Sequence, residues 1–390
     1  MDAWYPQRDA ESWDAVGLVC GDPAQAVSRV LVAVDAAPAT VEQAEQRGAQ
    51  LLLTHHPLLL TAVHAVPTSD PKGALVHRMI RGGLAHFVAH SNAEVNTPGV
   101  SDALARAFSL GDISPVDPVV DPPLDKITVF VPRGHAEAMV DALSAAGAGR
   151  LGNYDRCAFL GQGTGTFRPG ADATPAIGRP GAIATVEEAR IEMVLTPDRR
   201  RAVVTAMRAA HPYEEPAFDL VSHTRLEGSR GIGRIGTLPE PLTLAEVADM
   251  VARTLPATTS GVRAAGDPEQ RIRRFAVLGG SGSSIIQSAR EAGADVLLTA
   301  DLKHHNAVEA VTQRVTAAPM ALIDAAHWAT EVPWLHLVAG RLRREFGDTV
   351  EVIVSDVVTD PWALHVPSGG SGEPSTGTGH TEKIGGTRPW

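Results

Sequence analysis

The chain has 390 residues, of which 44% are hydrophobic and 20% charged, so it can form two domains or one large elaborated domain. Its formal net charge is −11 and it has no Lys/Arg-rich block, which argues against nucleic acid as a main partner. The N-terminus resembles no signal peptide, and no stretch reaches the ~20 apolar residues of a membrane span. We therefore expect a cytoplasmic protein with no membrane partner. Its two cysteines, Cys20 and Cys157, are too few for a disulfide scaffold.

Short apolar runs alternate with amphipathic segments along most of the chain. Strands are predicted within residues 28–36, 49–56, 84–92, 275–282, 294–305 and 319–331. Helices are predicted at 40–47, 73–82, 100–108, 243–255, 283–292, 303–314 and 330–346. This alternation is typical of βα units, so the sequence predicts an α/β fold with a mostly parallel sheet.

The middle of the chain has a different pattern. A Pro/Asp-rich linker is predicted at 117–126 and a Gly-rich return segment at 227–241. Between them, strands at 126–132, 189–196 and 217–223 alternate with helices at 135–147 and 198–210. Two β-α-β passages of this kind indicate a ferredoxin-like α+β insert. The predicted division is 1–123, 124–230 for the insert, 231–366, and a disordered tail over 367–390.

Three further segments have distinctive composition. Residues 161–181 are so rich in Gly, Pro and Thr that we expect a long loop. The segment "HPYEEPAFD" (211–219) is expected to be an extended connector without a catalytic role. The segment "GGSGSS" (279–284) is compatible with phosphate binding at a helix N-terminus and equally with a tight turn at the rim of a site.

Titratable side chains follow four of the predicted strands, where ligands gather in an open α/β sheet. They are His55 and His56; His90, Asn92 and Glu94; Asp301, Lys303, His304 and His305; and Asp324, His327, Thr330 and Glu331. Two of these groups repeat a spacing of four, in His90 with Glu94 and in His327 with Glu331. If the chain is helical there, both members of each pair lie on one face and can meet one cation.

The residue types indicate which cations would bind. Imidazole and carboxylate together suit Zn, Fe, Mn, Co or Ni better than Ca or Mg. Adjacent histidines diverge on an extended backbone, so His55 and His56 fit two ions about 3.5 to 4 Å apart with a bridging carboxylate. The alternative is that the rings are simply hydrogen-bonded and the carboxylates are ordinary helix-start residues.

At these residues the sequence resembles the NIF-three-like dinuclear metal-centre family, whose members are commonly labelled GTP cyclohydrolase 1 type 2 homologues. The resemblance covers roughly residues 8–362. Its motifs are "ESWDAVGLVCGD", "LLLTHHPL", "AHSNAE", "GIGRIG", "LGGSG" and "IDAAHWATE", in that order. Within the insert, "GTGTFRPG", "PAIG" and "HPYEEPAFD" resemble the PII- or CutA-like domain of the longer members.

The resemblance implies a three-layer domain interrupted by the PII/CutA-like insert, and a homohexamer built as a trimer of dimers with metal sites facing an internal cavity. It also implies two divalent transition-metal ions per chain. The implied metal ligands are His55, His56, Glu94, His327 and Glu331. Glu331 would be the bridging ligand. The family usually has Asp where this chain has Glu94, and the extra methylene changes the reach of that carboxylate.

Two functional hypotheses follow. The first is a dinuclear-metal-dependent hydrolase that acts on a small phosphorylated or nucleotide-like substrate, with His90, Asp301 and His305 as candidates for proton transfer or cavity lining. The second is a non-enzymatic, metal-binding hexamer whose insert senses a ligand. GTP ring opening would need guanine contacts that no part of the sequence identifies.

Overall fold

A computed structural model describes residues 1–120, 124–223, 227–312 and 320–367. Within these ranges the fold is mixed α/β and has three sheets. The strands are β1 (Gly17–Cys20), β2 (Arg29–Ala33), β3 (Leu51–Thr54), β4 (Ala85–Val88), β5 (Gly111–Val120), β6 (Asp125–Pro132), β7 (Phe159–Phe167), β8 (Ala184–Leu195), β9 (Phe218–Ser222), β10 (Glu227–Thr243), β11 (Val262–Ala265), β12 (Arg271–Ser281), β13 (Val296–Ala300), β14 (Ala321–Ala325) and β15 (Glu351–Val354).

The α-helices agree closely with those predicted from periodicity, except for α3, which was not predicted and overlaps the end of the strand predicted within 84–92. They are α1 (Pro38–Gln46), α2 (Pro71–Arg81), α3 (Ser91–Val95), α4 (Val100–Ala107), α5 (Ala136–Ala145), α6 (Arg200–Ala210), α7 (Leu244–Thr254), α8 (Ile286–Glu291), α9 (His304–Thr312) and α10 (His327–Phe346). None of the helices in the described ranges is long and apolar enough to cross a membrane.

The first sheet has the strand order β1-β4-β3-β2-β15. Its four strands from β4 to β15 are parallel, and β1 is an antiparallel edge strand. Alternate side chains enter separate cores: Leu31 and Leu52 lie with α1 and α2, whereas Val32 and Leu53 lie with α10. Burial on both faces explains why these strands read as continuous apolar runs.

The second sheet has the strand order β11-β14-β13-β12-β10-β5. Only β12, β13 and β14 are parallel, since β11, β10 and β5 pair antiparallel with their neighbours. Val277 and Leu298 share a core with α4 and α7, and Ala276 and Leu297 share one with α8 and α9. Helix α10 contacts both sheets.

The expectation of a three-layer domain with one mostly parallel sheet is therefore wrong. The layers are α1 and α2, the first sheet, α4 and α10, the second sheet, and α8 and α9. The hydrophobic pattern specified each βα unit correctly, but it carries no information about which strands become neighbours. Helices α4 and α10 each bury one face against each of the two sheets. A fold with a single sheet would need only one buried face on each helix.

The insert forms a separate antiparallel sheet with the strand order β7-β8-β6-β9. Helix α5 connects β6 to β7, and α6 connects β8 to β9. The buried side chains of the two helices, including Met139 and Val203, pack on Ile127, Val129 and Ile191 of the sheet. The chain therefore runs β-α-β-β-α-β through residues 125–222.

Two predicted irregular segments contain strands. The expected loop at 161–181 is wrong over its first part, because β7 pairs with β8 there. Its glycines and threonines can form a strand because β7 is an edge strand with mostly exposed side chains. The expected linker at 117–126 is also wrong over its first four residues, which belong to β5. Pro115 and Pro118 are tolerated there because β5 lies at a sheet edge.

Some predictions extend beyond the described residues. The predicted tail over 367–390 lies outside them from residue 368 onward, and so does the end of the helix predicted at 303–314. The proposed break at 123 falls next to residues 121–123, which are also outside the described ranges.

Candidate metal centre

Four of the predicted histidines meet where the first sheet faces the N-terminal end of α10. His55 and His56 come directly after β3, and His90 follows β4. His327 is the first residue of α10, so its partner four residues later, Glu331, lies one helical turn away on the same face. The two sheets thus contribute ligands from segments 271 residues apart.

Glu331 lies at the centre of this group, and its side chain is almost completely buried. Oε1 lies 3.0 Å from His327 Nε2 and 3.4 Å from His55 Nε2, and Oε2 lies 3.0 Å from His56 Nε2. Glu94 is more distant, with Oε1 3.8 Å from His55 Nε2. One carboxylate therefore faces three imidazoles, which is the arrangement expected of a bridging ligand.

The other nitrogen of each ring is held by a protein oxygen. The Nδ1 contacts are His55 to the Ala89 carbonyl at 2.9 Å, His56 to Asp35 at 2.8 Å, His90 to Asp14 at 2.9 Å and His327 to Asp301 at 2.6 Å. Since carbonyl and carboxylate oxygens only accept, each Nδ1 is the donor. Each ring then directs Nε2 toward the centre, as metal-ligating histidines do.

Apart from the Glu331 carboxylate, the Nε2 atoms have few suitable partners among the described residues. His56 Nε2 and His327 Nε2 lie 3.3 Å apart. In neutral rings whose Nδ1 carries the proton, both Nε2 atoms have lone pairs, so neither can donate a hydrogen bond to the other. His55 Nε2 is buried and has no hydrogen-bond partner among the described residues. Because burying unpaired polar atoms costs free energy, this donor set fits a cation. Two groups of side chains have ligand atoms close enough to share an ion: His55 with His56 and His90, and His56 with His327 and Glu331.

The electrostatics also favour positive charge at the centre. Burial lowers the pKa of His56, but the carboxylates of Glu331 and Asp35 outweigh it and raise that pKa to about 11. Burial likewise lowers the pKa of His327, and Glu331 with Asp301 raises it to about 9. Such a negative potential attracts divalent cations as well as protons.

The two glutamates differ in their electrostatic balance. Burial alone would raise the pKa of Glu331, yet the surrounding imidazoles of His56, His55 and His327 hold it well below its usual range. Burial raises the pKa of Glu94, and the more distant histidines do not compensate. Glu331 is therefore the more firmly ionised carboxylate.

The "GGSGSS" segment contributes space at the centre. Gly280 has a φ of +73°, and a Cβ there would lie 2.6 Å from Glu331 Oε1 and 3.0 Å from His327 Nε2. Its N–H donates to Thr330 Oγ1 and its carbonyl accepts from Thr299 Oγ1. The structure thus agrees with the reading of this segment as a tight turn at the rim of a site.

The structure brings most of the predicted site residues together. Asp301 lies at the edge of the group, as the acceptor for the His327 ring. His305 is exposed at the start of α9, and its one ring contact is with His304, within the described residues. The sequence motifs did not identify Asp14 or Asp35 as site residues, although Asp35 follows β2 as the histidines follow β3 and β4.

A cavity of about 690 Å³ opens beside the candidate centre. Asp35, His56, Asp301 and His327 line its inner side. Its other walls include Arg263, Trp328, Trp362 and His365. A small molecule in this cavity would therefore reach the ring of His56 and the carboxylate of Asp301 directly.

Comparisons with known proteins agree with this geometry. The family model described as Duf34/NIF3 (NGG1p interacting factor 3) matches residues 1–361. The chain belongs to the Duf34/NIF3 family. A Mycobacterium leprae relative named GTP cyclohydrolase 1 type 2 homolog is 48% identical over 369 residues, which are 93% of each chain. The family resemblance recognised in the sequence is thereby confirmed.

Solved structures show the same Duf34/NIF3 fold. A Bacillus cereus protein related to NIF3 is 34% identical, with a TM-score of 0.64 and coverage of 93% of this chain and 96% of that one. A Staphylococcus aureus protein is 28% identical with a TM-score of 0.71 and the same coverage. Both alignments extend over nearly the whole chain, so they include both sheets and the insert.

Proposed function

We propose that this chain is a dinuclear-metal-dependent hydrolase that acts on a small phosphorylated or nucleotide-like substrate. The observation that carries the proposal is the convergence of three Nε2 atoms, from His55, His56 and His327, on the buried carboxylate of Glu331. The name of the Mycobacterium leprae relative, GTP cyclohydrolase 1 type 2 homolog, supports a nucleotide-like substrate.

His56, His327 and Glu331 would hold one ion, and the other would be held by His55 and Glu94, with Glu331 as the bridge. The mixed imidazole and carboxylate set suits Zn, Fe, Mn, Co or Ni. When bound, two such ions supply positive charge for a substrate oxyanion and lower the pKa of a water molecule toward neutrality.

The surrounding residues have separate roles. Asp35 and Asp301 hold the rings of His56 and His327 in orientation through Nδ1. The ring centroid of His90 lies 5.1 Å from that of His55, and Asp14 fixes its Nδ1. We assign His90 to proton transfer at the centre, through Nε2.

The cavity supports the substrate class. Its volume of about 690 Å³ lies in the range of small-molecule sites. Trp328 and Trp362 offer ring surfaces to a planar base, and the guanidinium of Arg263 offers positive charge. Arg263 is already paired with Asp324, so it would contribute orientation more than net charge.

The test is metal content combined with turnover of a phosphoester and nucleotide panel. Protein loaded separately with Zn, Mn, Fe, Co or Ni is expected to hold about two ions per chain. His327→Ala is expected to lose metal and turnover together, whereas His336→Ala, an exposed histidine on the same helix, keeps both. No turnover in any metal form, or turnover unchanged in His327→Ala, would contradict the proposal.

His90 needs its own measurement. His90→Ala is expected to keep two ions and to lose turnover, because the proposal gives it a proton-transfer role. Loss of one ion in this variant would instead make it a ligand, which the proximity of His55, His56 and His90 allows. His305→Ala is expected to change neither quantity, since the ring is exposed and away from the group.

The insert and the assembly are part of the same proposal. The strand order β7-β8-β6-β9 with its two helices supports a ferredoxin-like, PII/CutA-like insert over 124–230. We also propose the homohexamer implied by the resemblance. Light scattering tests it, because a hexamer has six times the chain mass of 40.9 kDa.

We propose the cytoplasm as the location of the protein. The free thiols of Cys20 and Cys157 are compatible with that compartment.

A ligand-sensing, non-enzymatic assembly is the second candidate function. The observation that favours it is a cavity of about 400 Å³ within the insert, which shares no lining residue with the cavity at the candidate metal centre. Tight binding of a ligand there by a protein that turns over no substrate would select this function.

A further inference from the structure

The cavity in the insert is formed around the "HPYEEPAFD" segment. The end of β7 and the residues after it form one wall. Tyr213 of that segment packs edge-on against Phe167, with ring centroids 5.4 Å apart, and both side chains line the cavity. Pro169 and Ile177 add apolar surface. At about 400 Å³ the cavity is large enough for a small organic molecule.

Glu188 of β8 brings a carboxylate to this apolar space. Its Oε1 accepts a hydrogen bond of 3.0 Å from Tyr213 Oη, and Oε2 lies over Gly165, where a Cβ would approach it to 2.1 Å. Burial and the Glu188 charge raise the pKa of Tyr213 to about 12, so the phenol stays a donor. A glycine in β7 is therefore needed for the carboxylate to take this position.

Tyr213 is itself fixed by His211. The Tyr213 backbone N–H donates to His211 Nδ1 over 3.1 Å, and His211 Nε2, which must then carry the proton, donates to the Phe130 carbonyl over 2.8 Å. The ring of His211 is buried, and this is its structural role. The segment that we expected to be a plain connector thus positions a side chain in the cavity.

The charge of the lining is entirely negative. Glu214 and Glu215 join Glu188, and no Lys or Arg lines the cavity in the part of the chain that is described. Glu214 also accepts from the Thr174 backbone N–H, which ties the two walls of the cavity together. A ligand with positive charge would therefore be favoured over a neutral or negative one.

The arrangement favours an organic cation over a metal ion. The groups of side chains able to share a metal ion all lie at the candidate metal centre, within the residues searched, so the insert carboxylates do not converge on one point. Aromatic rings and apolar side chains around a carboxylate suit an ammonium or guanidinium group on an apolar body.

We propose that the insert cavity is a binding site for a small organic cation, in which Glu188 pairs with the ammonium or guanidinium group and Phe167 and Tyr213 contact the apolar body. This binding site is independent of the proposed hydrolase activity, because none of the residues that line the insert cavity belongs to the candidate metal centre.

Calorimetric titration of the full chain with benzylammonium tests the proposal, with benzoate and benzyl alcohol as probes of equal shape and different charge. Benzylammonium is expected to bind once per chain and at least about tenfold more tightly than either. Glu188→Gln keeps an acceptor for Tyr213 and is expected to weaken binding by about tenfold or more. Glu187→Gln, on the adjacent exposed residue, is the matched control and should not.

Gly165→Ala gives a second, independent variant. Its Cβ would displace the Glu188 carboxylate without changing any charge, so benzylammonium binding is expected to fall as it does in Glu188→Gln. The proposal is overturned by equal binding of benzoate, by no binding of benzylammonium, or by displacement of the bound amine with calcium chloride at constant ionic strength. His327→Ala is expected to bind the amine normally, so failure at one site is distinguishable from failure at the other.

Discussion

Gly280→Ala tests whether the glycine turn shapes the candidate metal centre. The new Cβ would lie 2.6 Å from Glu331 Oε1 and 3.0 Å from His327 Nε2, whereas normal contacts are about 3.5 Å. The carboxylate must therefore move by roughly 1 Å, more than the about 0.5 Å that such sites tolerate. We expect metal affinity to fall by about 10- to 100-fold, as it does when a supporting contact is lost.

A matched control separates this effect from backbone strain. Gly83 also has a positive φ, of +65°, but a Cβ there would meet nothing within 4 Å. Both alanine variants are expected to lose about 1 to 2 kcal/mol of unfolding free energy in the metal-free state, because each places an L-residue in the left-handed region. Only Gly280→Ala is expected to lose metal affinity.

The assay is equilibrium dialysis against a competing chelator, followed by elemental analysis, with urea denaturation of the metal-free proteins for stability. Equal metal affinity in the two variants would refute the reasoning. It would mean either that Glu331 holds no ion or that its carboxylate moves at no cost.

Three further predictions concern polar and charged side chains. Asp102→Ala leaves the buried Arg234 unpaired, so urea denaturation is expected to show a loss of about 3 to 5 kcal/mol; a loss below about 1 kcal/mol would contradict this. Burial lowers the pKa of His86 from 6.5 to about 4. As the pH falls from 6.5 to 4, His86 therefore takes up a proton in the unfolded chain while it stays neutral in the folded chain. Stability is then lost over that window, by about 3 kcal/mol at pH 4, and urea denaturation of metal-free protein should show a smaller loss in His86→Gln. Asp301→Ala is expected to lower metal affinity about 10- to 100-fold in the same dialysis, while His305→Ala leaves it unchanged; equal effects would contradict the geometry.

Local sequence pattern predicted the elements well, because each depends on residues close in the chain. Except for α3, which was not predicted, the helices were placed within a few residues, and the strands that end at the candidate centre were all identified. Strand β7 was missed because an exposed edge strand has no need of apolar side chains. Pairing into two sheets was missed because it depends on how α10 packs between them, which no local pattern encodes.

Residues that contact a metal are easier to predict than those that hold the ligands in place. Histidines at strand ends are conspicuous, whereas aspartates are common near turns and attract less attention. Asp14 is an example: it accepts from His90 Nδ1 and from the Ser91 N–H and hydroxyl, although it lies 76 residues from His90 in sequence. Burial raises the pKa of Asp14, but these hydrogen bonds lower it further, so the carboxylate stays charged.

The two halves of the candidate centre differ in how closely the protein defines them. His56 and His327 each lie 3.0 Å from a Glu331 oxygen, and each ring is held by a carboxylate. His55 is held by a backbone carbonyl, and its second carboxylate, Glu94, is 3.8 Å away. Because carboxylates raise ligand basicity more than a carbonyl does, the proposed ion at His56 and His327 would bind more tightly than the ion at His55. Glu94 therefore belongs to the less constrained of the two proposed positions.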